Sequence, residues 1–299
     1  MMKTQIAHAL HSVEQFIQLW KGQSMIQPEQ FISESVTFSS SYRGVVTSRE
    51  NLISFLKQDF ISHDHVDIQL SNVVKKSSGS TSKISGYFYA QASKNQEVYF
   101  GGMLIFTLKN EYIQDIKIQL NWVDGNKELL SHWILPLDSL WKPNDPMTTI
   151  SSEFNSLWQK DWMSNEDAET QIAESWYRYA WALDLADTSL HIENFTENAT
   201  TDLPPMGIQK GKRNIISTLK AFRMPWPSIQ HYGEPLHIEI DPSHKSAYMI
   251  IGRIIPNQST DKDGQKIYAA HYQIELQCDD DTLWKIHDMK YISGWVRQG

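Results

Sequence analysis

The sequence predicts two tandem α+β domains, each opening with helices that pack on a curved antiparallel sheet. Three observations predict it. The segment Gly44–Lys57 (GVVTSRENLISFLK) returns at an offset of 163 as Gly207–Lys220 (GIQKGKRNIISTLK), keeping a glycine, an asparagine, a serine and the apolar spacing. Upstream, Phe31–Thr37 (FISESVT) resembles Phe195–Thr201 (FTENATT), and downstream Asp115–Trp122 (DIKIQLNW) resembles Asp288–Trp295 (DMKYISGW). The length of 299 residues sits where a single hydrophobic core stops growing, so it divides more comfortably into two domains and a connector. Within each copy a helical apolar period gives way to runs typical of strands, separated by turn residues.

In the first copy Ile6, Leu10, Val13, Phe16, Ile17 and Trp20 recur at helical spacing, and Gly22 follows as a stop. Ser48 caps a second helix from Arg49 to about Phe60, whose Leu52, Ile53 and Leu56 form the buried stripe. Strands are expected at 66–74, 83–92, 98–108 and 112–122, with Ser77-Ser78-Gly79-Ser80, Ser93-Lys94-Asn95 and Lys109-Asn110-Glu111 as turns. Connections this short favour antiparallel neighbours. The second copy repeats the plan: a helix from about Asp167 to Asp187, a short helix from Arg213 to Phe222, and strands near 236–240, 246–255, 266–278 and 282–295. Domain limits of 1–126 and 165–299 follow. The connector 127–164 holds Trp133, Trp141, Trp158 and Trp162, a composition that suits buried contact area better than a flexible linker.

Composition excludes several classes of function. A net charge of -8 leaves no basic stripe for nucleic acid. The single cysteine, Cys278, rules out an intramolecular disulfide and a cysteine-based zinc site, and it fits a reducing compartment. No apolar run approaches a membrane span, and the N-terminus lacks the core of a signal peptide, so a cytoplasmic location without membrane partners is expected. No glycine-rich phosphate loop, nucleophile elbow or zinc signature is present, and no cofactor is expected. His63, Asp64 and His65 cluster, but three such residues without a fourth ligand are a weak metal signal.

The run Tyr179–Asp187 (YAWALDLAD), then Phe195, Gly207, Ile215-Ile216, Leu219, Gln230-His231 and Leu283–Ile286 (LWKI) resembles, in order and spacing, the nuclear transport factor 2-like (NTF2-like, cystatin-like) superfamily. More narrowly it resembles the SnoaL-like group of polyketide cyclases, ketosteroid isomerases and scytalone dehydratase. The resemblance covers most of the second half and, more weakly, the first. It implies cone-shaped domains enclosing one apolar pocket for a small molecule, and pairing of the two copies through their sheets as an internal pseudo-dimer, with a homodimer also open. It does not fix a reaction, because the superfold hosts enzymes and plain binding modules alike.

Asp184 lies in an apolar stretch between Leu183 and Leu185. The position fits either a desolvated acid or base, or a structural carboxylate paired with an arginine. In the resembled dehydratases it carries an aspartate that orients a catalytic histidine. His231 falls where many SnoaL-like members carry a histidine, and its near-neutral titration suits a proton shuttle. His271, Gln273 and Glu275 share one face of a strand, with Tyr268, Ala270, Tyr272, Ile274 and Leu276 on the other. The resemblance places His271 and Gln273 toward the pocket. Arg253, in an apolar strand, needs a partner, either Asp184 or an anionic ligand.

The expected site is therefore Asp184, His231 and His271 for acid–base chemistry, with Gln273, Arg253, Asn257 and Tyr179 contacting substrate, although Tyr179 reads by default as a core or interface aromatic. Leu183 and Leu203 stand where scytalone dehydratase has tyrosines, and Asn257 near its second histidine, which argues against scytalone dehydration itself. Opposite Asp184, His231 and His271 the first copy offers Leu19 or Trp20, about Ile68 and about Gly102, so a degenerate, non-catalytic domain is expected there. The expected function is a cofactor-independent lyase or isomerase acting on a small apolar molecule; the alternative is a non-catalytic small-ligand-binding or scaffolding protein.

Overall fold

A computed structural model of the chain describes residues 2–23, 25–136, 150, 157–158, 167–223, 225, 229–278 and 283–297. The chain divides into two compact units, Met1–Asn165 and Glu166–Gly299. The first comprises α1 (Met2–Trp20), β1 (Ile32–Ser40), β2 (Gly44–Thr47), α2 (Arg49–Asp59), β3 (His65–Ser78), β4 (Thr81–Ser93), β5 (Glu97–Lys109) and β6 (Tyr112–Gly125). The second comprises α3 (Ala168–Asp184), α4 (Thr188–Asn194), β7 (Phe195–Asp202), β8 (Ile208–Lys210), α5 (Lys212–Arg223), β9 (Tyr232–Ile240), β10 (Ser246–Ile254), β11 (Ile267–Cys278) and β12 (Trp284–Arg297).

The two sheets have one topology. Their strand orders are β2-β1-β6-β5-β4-β3 and β8-β7-β12-β11-β10-β9, which match strand for strand, as two tandem α+β domains of one fold require. All neighbours are antiparallel except β1 with β6 and β7 with β12, which run parallel. These first strands are absent from the sequence expectation because β1 (ISESVTFSS) and β7 (FTENATTD) carry few apolar residues and little strand propensity. The glycine kept in the repeat has a backbone reason: Gly44 and Gly207 have φ of 86° and 70°, a region that side chains disfavour.

In the first unit Ser48 caps α2 as expected, its hydroxyl accepting from Asn51 N at 3.4 Å. The core below is aromatic. Trp133, from the segment following β6, lies 4.2 Å from Tyr42 and 5.2 Å from Phe100 between ring centroids, with Phe60 also in contact. The stretch expected as connector thus contributes Leu130 and Trp133 to the core of the first unit. Trp158 lies 5.3 Å from Lys76 Nζ, while Trp141 and Trp162 fall outside the described residues. At the end of α2 the carboxylate of Asp59 is fully buried and accepts from Trp20 Nε1 at 2.8 Å, Tyr42 OH at 2.9 Å and Arg43 Nη1 at 2.5 Å.

In the second unit Asp167 caps α3, accepting from Thr170 N at 2.9 Å. Ile172, Trp176, Tyr179 and Leu183, spaced by fours and threes, join the cluster that also contains Met249, Ile251, Tyr272 and Ile274. Each such side chain contributes about 1.5–3 kcal/mol when fully buried. The helix stops at Asp184, three residues before the expected end, because Ala186 turns left-handed at φ 56°. Asp187 is therefore not an exposed helix end. It caps α4, accepting from Ser189 N at 3.0 Å and Leu190 N at 3.3 Å. On α4, His191 is buried against Tyr179 and Phe195, and burial pushes its imidazole down to about 4.

Two predictions follow from these cores. Asp59→Ala leaves the buried donors of Trp20 and Tyr42 and the half-buried guanidinium of Arg43 without this acceptor and should destabilise the chain by about 3–5 kcal/mol, read by calorimetry of the whole chain; a loss under ~1 kcal/mol would show that the three donors find other partners. His191 stays neutral in the folded state down to about pH 4, while the unfolded chain protonates it below about 6.5. Its contribution is complete above pH 6.5 and falls as pH drops through the window to 4, by about 3 kcal/mol in all. Denaturant titrations at stepped pH should show this slope, and His191→Leu should flatten it.

Candidate functional site

The site grows from the end of α3. Asp184 is buried with both carboxylate oxygens engaged by one residue: His231 N donates to Oδ2 at 2.7 Å, and His231 Nδ1 lies 2.6 Å from Oδ1. Its main-chain carbonyl, which a helix end leaves without an intrahelical donor, accepts from Arg223 Nε at 3.2 Å and Nη2 at 2.8 Å at the end of α5. With the carboxylate as acceptor at this contact, Nδ1 carries the hydrogen and the lone pair of the imidazole lies on Nε2.

His231 lines a cavity of about 220 Å³ whose wall also includes Tyr179, Leu183, Leu203, Met206, Phe222, Arg253, Tyr272 and Tyr291. The cavity lies below the usual range of ligand pockets, about 300–1,000 Å³, and suits a small molecule. Tyr179 and Tyr272 are almost wholly buried, and burial holds both hydroxyls well above the ordinary tyrosine range. They remain protonated donors at neutral pH. In each case the charge of Arg253 acts in the opposite direction. Arg253 reaches from β10 and donates Nη2 to Gln230 O at 2.6 Å and Nη1 to Tyr232 O at 3.1 Å and Ile254 O at 3.3 Å. The carboxylate of Asp184 is engaged by His231, and Arg253 is held by main-chain carbonyls instead.

Of the residues expected from sequence, the structure brings His231, Arg253 and Tyr179 to one cavity, with Asp184 buried behind His231. His271, Gln273 and Asn257 are elsewhere. The inward face of β11 carries Tyr268, Ala270, Tyr272, Ile274 and Leu276, all buried; His271 and Gln273 alternate with them and point to the opposite face of the sheet. The expectation that the polar row lines the pocket is corrected by this parity, since the apolar row fills the cone. Asn257 is exposed in the turn after β10 at φ 62°. Sequence reasoning missed Tyr272 and Tyr291. The available signal was a tyrosine in mid-strand on the apolar face, an aromatic body that carries a polar tip inward.

The first unit uses the same places differently. The last residue of α1 is Trp20, whose indole donates to Asp59, so the helix end carries a donor rather than a carboxylate. A hollow of about 310 Å³ opens nearby, lined by Trp20, Lys21, Lys57, His63, Asp64 and His65 among others. The mouth of this unit is therefore open, although Trp133 packs into its core. Among the described residues no group of three His, Cys, Asp or Glu side chains is placed to hold a metal ion. No helix among them is long and apolar enough to cross a membrane.

Comparison with known proteins adds a family likeness. No curated protein sequence matches the chain. Among solved structures it is similar to the Kfla4162 protein of Kribbella flavida (9% identity, TM-score 0.40, 44% of this chain and 99% of that one). It is also similar to a type 2 hexachlorocyclohexane dehydrochlorinase, LinA (16% identity, TM-score 0.34, 44% and 89%), and to a cystatin-like-fold domain of Nostoc punctiforme PCC 73102 (17% identity, TM-score 0.33, 44% and 79%). Residues 166–290 match the model of the SnoaL-like domain family. The second unit is thus similar, over most of its length, to the SnoaL-like domain family, and it stands in tandem with a first unit that repeats its strand order.

Proposed function

We propose that the second unit is a cofactor-independent lyase or isomerase that acts on a small, largely apolar molecule by acid–base chemistry. One observation carries the reading: a buried carboxylate holds the Nδ1 side of a histidine in the wall of a small cavity lined by both aliphatic side chains and polar groups. In this reading His231 Nε2 removes a proton from a carbon of the substrate. The electron pair left behind either expels a leaving group from the neighbouring carbon or shifts onto a conjugated carbonyl oxygen. The imidazolium then returns the proton, to the leaving group in a lyase or to another carbon in an isomerase. Asp184 stays ionised and offsets the imidazolium charge, as a positioning residue that touches no reacting atom. The SnoaL-like match supports this class of small-molecule chemistry.

Two measurements test it. The long-range proton–nitrogen spectrum of His231 at neutral pH should show Nδ1 protonated and Nε2 bare; the reverse tautomer would remove the base. Asp184→Asn keeps the acceptor for His231 N but presents an amide N–H to Nδ1, which reverses the tautomer and protonates Nε2. Turnover of a compound processed by the native chain should then fall about a hundredfold or more, with kcat falling and KM little changed. Native turnover in the variant would leave the cavity a binding site only.

A further inference from the structure

The cavity wall includes a permanent cation, Arg253, that no carboxylate among the described residues neutralises. A guanidinium has five N–H donors. Arg253 gives two from Nη1 and one from Nη2 to main-chain carbonyls, leaving Nε–H and one N–H of Nη2 without an acceptor among the described residues. Carbonyl oxygens satisfy hydrogen bonds but carry no net charge, so the positive charge faces the cavity with its electrostatic demand unmet. Asp184, behind the cavity wall, has both oxygens on His231. The hydroxyls of Tyr179 and Tyr272 belong to the same wall, stay protonated, and have no hydrogen-bond partner among the described residues.

A single acceptor-rich, negatively charged group would complete this arrangement. A carboxylate fits it: two oxygens can take the two remaining guanidinium donors side by side, the geometry that makes such pairs strong, with further lone pairs for the tyrosines. A phosphate suits it less well, since its bulk and second charge ask for more donors than a cavity of about 220 Å³ with one arginine supplies. Leu183, Leu203 and Met206 supply an apolar wall for the rest of the molecule.

We propose that the ligand of the second unit is a small monocarboxylate with an apolar body, its carboxylate on Arg253 and the hydroxyls of Tyr179 and Tyr272, its body toward His231. This rests on the cavity described above and narrows the substrate class of the proposed reaction; it does not depend on His231 acting as a base.

Calorimetric titration of the full chain with hexanoate, benzoate and cyclohexanecarboxylate, each against its neutral primary amide, tests it. At least one acid should bind about tenfold or more tighter than its amide. Arg253→Gln should abolish that preference, and Arg253→Lys, which keeps the charge and loses the fork, should retain part of it. Because Arg253 also tethers Gln230 and Tyr232, a chemical-shift map of native protein with the bound acid supplies a second readout, with Arg253 Nε–H among the largest movers. Equal affinity for acid and amide, a preference that survives Arg253→Gln, or no binding of any acid up to about 10 mM would overturn the proposal. Asp184→Asn separates the two readings, since it should leave acid binding intact or stronger while abolishing turnover. Acid binding with unchanged turnover in that variant sinks the base and keeps the carboxylate site.

Discussion

The second unit depends on how one buried carboxylate is compensated. Taking Asp184 out of water costs several kcal/mol, and the fold recovers it by giving both oxygens to His231, one through the main chain and one through the ring. That double contact ties the end of α3 to the start of β9, two points 47 residues apart in sequence. Arg223 adds a third element by capping the carbonyl of the same residue from α5. Helix end, strand start and second helix are thus locked around one side chain, and the cavity wall inherits that rigidity. A histidine held at ring and backbone has one orientation, which is what positioning a proton acceptor requires.

The first unit shows that the scaffold does not demand this chemistry. Its strand order is the same, yet the end of α1 carries an indole and the carboxylate comes from the end of α2, where Trp20, Tyr42 and Arg43 converge on Asp59. The polar knot sits in a comparable place and ties comparable elements. An indole N–H only donates and does not exchange its proton near neutrality, so this knot serves as an anchor. Trp133 then fills the space against Tyr42, Phe60 and Phe100. One fold has accommodated an aromatic anchor in one unit and a histidine-lined cavity in the other, with a different partner presented at the helix end.

Around the cavity, two charged residues are handled in opposite ways. Asp184 receives full compensation from a neighbour and has no donor of its own to offer a ligand. Arg253 receives only neutral carbonyls and retains donors. The asymmetry gives the pocket a polarity, proton acceptor on one side and positive charge on another, with tyrosine hydroxyls kept protonated by burial between them. Each feature follows from desolvation, which raises the cost of an unmatched charge.

Much of this was legible in the residues themselves. The repeat around Gly44 and Gly207, the period of α1 and α3, and the alternating runs of β3 to β6 and β9 to β12 are local patterns, and local patterns carry local structure. Asp184 and His231 were also visible, as polar residues embedded in apolar or family-like contexts. What the sequence left open is non-local. The parallel pairing of β1 with β6 joins strands separated by most of the unit, and its weak apolar content gave no local cue. The direction of β11 illustrates the same limit: alternation showed that His271 and Tyr272 face opposite ways, but not which way is in, because that depends on where the helices pack. Amino-acid order therefore determined the elements, the duplication and the polar residues available for chemistry. Only the tertiary structure decided which of them share a cavity, since register and burial arise from contacts between segments distant in the chain.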